Sequence, residues 1–96
     1  MVQIEISEDA EEMIFGYVEW LETKNTPGSG SRFLVNLNHF LNRLGRSFPY
    51  FSPCSNLILR SKNLFCSSYR EWVVAFEIGQ ACIIVTAFIH KNRLPV

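Results

Sequence analysis

Among the ionisable side chains, His90, Lys91 and Arg93 crowd into four consecutive positions, and Arg70 is a further cation upstream. Attack of an RNA 2′-hydroxyl on its phosphodiester needs a group to take the proton, cations to stabilise the phosphorane, and a donor for the leaving oxygen. These four residues could supply parts of that set. Histidine carries protons readily near neutral pH, and an arginine guanidinium can hold a phosphate or carboxylate through two parallel hydrogen bonds. Each also has a plainer use. His90 could anchor the last segment through a hydrogen bond, and Arg93 could pair with a carboxylate of the first helix for about 0–1 kcal/mol at the surface.

Other chemistries find little support. His39 and His90 are isolated and no Asp/Glu/His set has ligand spacing, so neither a metal nor a cofactor is expected. Cys54, Cys66 and Cys82 are odd in number and match neither a C-x-x-C pair nor paired zinc ligands. They are expected as free thiols, with Cys82 packing as a small apolar residue. Gly28, Ser29 and Gly30 open a helix whose N-terminus could hold an anion, but a simple loop is the favoured account of them.

Charge is unevenly spread. The first 22 residues contain seven carboxylates and no Lys or Arg, whereas the remainder carries nine Lys and Arg against Glu71 and Glu77 alone. Such asymmetry suits a basic face meeting an acidic partner or nucleic acid, or a solvated surface neutralised by the acidic helix. The acidic start lacks a signal peptide's basic and apolar regions. The most apolar stretch, residues 81–89, is far shorter than the roughly 20 residues a spanning helix needs, so a cytoplasmic chain with no membrane contact is expected. With 96 residues and 48% apolar content, one domain over residues 1–96 is expected.

The elements that must position these residues follow from periodicity. Val2, Ile4 and Ile6 alternate as in a half-buried strand. Ser7 then offers a capping hydroxyl before Glu8 and Asp9, and Ala10, Met13, Ile14, Tyr17, Val18 and Leu21 form one helical stripe. Residues 25–30 break it with proline and glycine. Phe33, Leu34, Leu37, Phe40, Leu41 and Leu44 make a second stripe, with Gly45 placed to end it. A short loop between two such helices predicts an antiparallel hairpin. Residues 47–53 read as an ordered connection rich in aromatics. Strands are expected at residues 57–59, 72–78 and 82–89, the last two joined by a tight II′ turn with Gly79 at its first position. The predicted fold is α+β: an N-terminal strand, an antiparallel helical hairpin and a C-terminal three-stranded antiparallel meander.

In this order, ending in VTAFIHKNRLP, the chain resembles the RelE/ParE toxins, and among them the ParE branch, whose last apolar strand runs into Ile-His-x-x-Arg. Here those positions are Ile89, His90 and Arg93. The likeness spans nearly the whole chain, through the acidic first helix, Phe33 with its following leucines, Pro49, and WVVAFEI before a tight turn. It implies a bacterial plasmid-stabilisation toxin of a type II toxin–antitoxin system. Such a toxin inhibits DNA gyrase without catalysis of its own, and His90, Lys91 and Arg93 are the target-binding candidates.

The resemblance also implies a short cognate antitoxin that folds over the toxin into a hetero-oligomer. Phe15, Trp20, Phe48, Tyr50 and Phe51 are candidate landing sites, with burial in the core as their alternative. A second branch would make the chain a ribosome-dependent endoribonuclease cutting mRNA with His90, Lys91, Arg93 and Arg70. That branch is expected to carry a C-terminal tyrosine, which is absent here, and a Tyr-Arg-x-x-Tyr strand, where Trp72 and the uncharged Val73 stand. A shifted register would use Tyr69 and Arg70 instead. A third possibility is a degenerate member that binds its antitoxin without toxicity.

Overall fold

The computed structural model describes residues 2–24, 26–48 and 50–94. The readings placed on Asn25, Pro49 and Pro95 lie outside the described residues. Strand β1 (Gln3–Ile6) leads into helices α1 (Glu8–Lys24) and α2 (Ser29–Arg46), then a one-turn helix α3 (Leu57–Ser61). Strands β2 (Phe65–Tyr69), β3 (Trp72–Gly79) and β4 (Cys82–His90) follow, with a 3-10 turn at Lys91–Arg93. The architecture is thus α+β, with one strand, two long helices and three consecutive antiparallel strands. The sheet is mixed, because β1 lies parallel against β4 in the order β1-β4-β3-β2.

Local chemistry explains the first half. The Ser7 hydroxyl accepts the Ala10 amide at 3.2 Å and donates to the Thr86 carbonyl at 3.3 Å, so it caps α1 and ties the helix to β4. Gly28 turns the corner at φ 88°, a left-handed conformation that glycine adopts without steric cost. Helix α2 continues through Gly45 to Arg46. Gly45 therefore does not terminate it; a Cβ there would lie 3.2 Å from Val2 Cγ1 and 3.3 Å from Ile4 Cδ1, so glycine lets α2 approach β1 closely.

Residues 57–59 are helical rather than extended. The Asn56 side chain accepts the Ile58 and Leu59 amides at 3.1 Å, a local cap that favours a helical turn over a strand. Asn63, at φ 61°, ends that segment in the left-handed conformation asparagine tolerates. The first strand of the meander is instead β2. The β3–β4 turn falls at Gln80 and Ala81, with Ala81 at φ 54°, so Gly79 is not its first residue. Gly79 ends β3 opposite Cys82, where a Cβ would come within 2.7 Å of the Cys82 sulfur.

The helices cover one face of the sheet, where Ala10, Ile14, Leu37, Phe40, Leu41 and Leu44 meet Val74, Phe76, Ile83, Val85 and Phe88. On the other face Cys54, Leu59 and Leu64 pack with Ala75 in a smaller cluster. A disulfide joins Cys54 to Cys66 and pins the connection to the edge strand β2; Cys82 alone is a free thiol. This corrects the expectation of three thiols, since spacing in sequence carries no record of two segments meeting across a sheet edge. Among the described residues no helix is long and apolar enough to cross a membrane.

Candidate functional site

The position of His90 is set by an irregularity in β4. Ala75 pairs with Ala87 but Phe76 pairs with Val85, leaving Thr86 as the extra residue of a bulge. Because of it Val85 and Phe88, three residues apart, both enter the core under the helices. His90, two residues beyond Phe88, then shares that face and lies against Trp72, with ring centroids 5.3 Å apart.

Four aromatic rings extend the contact toward α1. Trp72 stacks on Phe88 at 4.3 Å and meets Tyr17 edge-on at 4.7 Å, and Tyr17 stacks against Trp20 at 5.8 Å. Trp20 is itself 52% exposed. Together with Met13, Ile89, Asn92 and Arg93 these residues line a cleft of about 940 Å³ between α1 and the end of β4. Large amphipathic rings with an arginine at the rim are the side chains that anchor protein partners.

Within the cleft the Asn92 amide donates to His90 Nδ1 at 3.2 Å, capping the 3-10 turn. That bond needs the Nδ1 lone pair, so the neutral ring carries its proton on Nε2 and presents a donor outward. In this arrangement His90 offers a hydrogen bond rather than a general base. The Lys91 amide donates to the Glu71 carbonyl at 2.9 Å, while its side chain is exposed and does not line the cleft. Arg93 is exposed, and among the described residues it forms no ion pair with a carboxylate of α1.

The other sequence candidates scatter. Phe15 is 51% and Tyr50 87% exposed, whereas Phe48 and Phe51 are half-buried, Phe51 meeting Phe76 edge-on at 4.8 Å. Only Trp20 of the five aromatic candidates joins His90 and Arg93. Arg70 lines a second hollow, of about 610 Å³, between α2 and the β2–β3 corner. The four residues considered for RNA cleavage therefore line two clefts or none, and do not converge on one scissile bond.

Compared with known proteins, the chain matches no protein-family model and no curated protein sequence.

Sequence reasoning missed Tyr17 and Trp72 as cleft residues and His39 and Arg43 in the second hollow. Tyr17 read as core because it lies on the apolar stripe of α1, and it does touch the core ring Phe33 at 4.9 Å. His39 and Arg43 carried a usable signal: four residues apart on one helix, they share a face. Among the described residues no group of three His, Cys, Asp or Glu could hold a metal ion.

Proposed function

We propose that this protein is the toxin of a bacterial type II toxin–antitoxin pair, of RelE/ParE type and ParE-like, which arrests growth in the cytoplasm by inhibiting DNA gyrase and is neutralised by a cognate antitoxin. The observation that carries this reading is the cleft in which His90 and Arg93, from the Ile-His-x-x-Arg ending, meet the exposed Trp20. An aromatic floor with an arginine and a histidine donor at its rim fits a protein surface. Binding is favoured over bond cleavage because the Nδ1 lone pair of His90 is engaged, which leaves it no general base, and because Arg70 lines the other hollow. The α+β order of strand, helical hairpin and antiparallel strands also agrees with the family layout.

The test is expression in bacteria from a tightly controlled promoter, with parallel pulse labelling of DNA and protein synthesis, beside a His90→Ala/Arg93→Ala variant. DNA synthesis should fail first, with a damage response, and the variant should be benign. Protein synthesis failing first would replace this reading with the ribosome-dependent ribonuclease. Growth without arrest in either culture would leave a non-toxic antitoxin-binding protein.

A further inference from the structure

The hollow between α2 and the β2–β3 corner plays no part in that reading. We propose that it is a phosphate-binding site held chiefly by Arg43 and Arg70. His39 and Arg43 leave one face of α2, a helical turn apart, and Arg70 stands at the corner opposite them, beside Ser67 and Ser68 of β2. The chain has as many carboxylates as Lys and Arg, nine of each, yet none of the residues lining this hollow is acidic. Among the described residues neither arginine is engaged in an ion pair. Two guanidinium groups thus line a concave polar surface that contributes no carboxylate of its own.

The donor set selects the class of anion. Two guanidinium forks, the Ser67 hydroxyl and the Asn36 amide offer more hydrogen bonds than the two oxygens of a carboxylate can take, and they suit a tetrahedral oxyanion. The backbone at the corner is also unusual. Arg70 has φ 55°, a conformation that costs a side-chain-bearing residue about 1–2 kcal/mol and that glycine would adopt freely. Its guanidinium carbon lies 5.6 Å from the centroid of the Tyr69 ring, within reach of a cation–π contact. The turn thus places the Arg70 side chain at the rim of the hollow, against the Tyr69 ring.

The experiment follows backbone amide shifts of the full chain during titration with inorganic phosphate and, separately, with a ten-nucleotide oligothymidylate lacking terminal phosphates, each against chloride at matched ionic strength. Shifts should centre on His39, Ser67 and Ser68. Arg43→Gln and Arg70→Gln should each weaken binding at least tenfold, while Lys62→Gln, an exposed cation outside the hollow, should leave it unchanged. Glutamine adopts the Arg70 conformation no better than arginine does, so the turn is not relaxed by the change, and unchanged amide shifts elsewhere verify the fold. Tighter binding of the oligonucleotide, falling steeply with salt, assigns the phosphate to a nucleic-acid backbone. Saturable binding of inorganic phosphate with no gain from the oligonucleotide assigns it to a free phosphate or small phosphate ester. Binding of neither, or binding indifferent to both arginine substitutions, overturns the site.

Discussion

The Glu22 carboxylate, near the end of α1, accepts the amide hydrogen of Gly30 in the first turn of α2 at 3.0 Å. Its other oxygen accepts the Gly28 amide, also at 3.0 Å. The chain therefore places its own anion where α2 has unpaired donors and the positive end of its dipole. Glu22→Ala should lower stability by about 1–2 kcal/mol. Urea unfolding would show this as a lower midpoint at unchanged slope; an unchanged midpoint would mean that the carboxylate contributes nothing at this corner.

Gly30 is buried at the contact between the two helices, and a Cβ there would lie 2.9 Å from both Val18 Cγ1 and Glu22 Cγ. Gly30→Ala should destabilise by about 1–3 kcal/mol despite alanine's better helix propensity. The Glu22→Ala/Gly30→Ala pair should cost less than the sum of the single changes, because removing the Glu22 side chain vacates part of the clash. Strict additivity in the double-mutant cycle would count against that packing.

Ala81 holds φ 54° in the β3–β4 turn and is exposed. Ala81→Gly should raise stability by about 1 kcal/mol, seen as a melting temperature higher by several degrees. The same exchange in reverse at Gly79, where a Cβ meets the Cys82 sulfur, should lower it.

Tyr69 is 6% exposed and its hydroxyl has no hydrogen-bond partner among the described residues. Leaving a buried hydroxyl unpaired costs about 1–3 kcal/mol. Tyr69→Phe should consequently hold or raise the unfolding midpoint, and a clear loss of stability would reveal a bond made by that hydroxyl in solution.

Thiol counting bears on the cysteines. The unreduced, denatured protein should react with one equivalent of a thiol reagent, at Cys82, and with three after reduction. Closing a loop across 12 residues of sequence stabilises by roughly 3 kcal/mol in the chain-entropy view, so reduction should lower the midpoint accordingly. Three reactive thiols before reduction would contradict the bond. The count also tests the proposed cytoplasmic setting, where thiols are usually kept reduced, if alkylation is done in intact cells.

What could be read from sequence was what repeats with a regular step. The alternation of Val2, Ile4 and Ile6, the Ser7 cap and the two helical stripes led directly to β1, α1 and α2. Residues 57–59 misled because a short apolar run has no period of its own, and the deciding contact is the Asn56 side chain folding back on two amides. Strand β2, with serines at its centre, is recognisable only by its pairing with β3. The His90 cleft was half legible: the His-x-x-Arg spacing drew attention to the right segment, but strict alternation from Ile83 would have sent Phe88 and His90 to the wrong face. The Thr86 bulge reverses that, and nothing in the local residue types announces it. Arg43 and Arg70 are brought together by tertiary packing alone.

The parallel seam between β1 and β4 also sets a schedule. The Ser7–Thr86 hydrogen bond spans 79 residues of sequence, and β1, at the edge of the sheet, has β4 as its only neighbouring strand among the described residues. During synthesis at roughly 5–20 residues per second, β1 waits on the order of ten seconds for that neighbour to emerge. Once synthesised, α1 and α2 can form within that interval but lack the completed sheet that buries their apolar stripes. The nascent chain thus presents its stickiest surface before it can close, and a partner or chaperone that covers the helical hairpin would act during translation rather than after it.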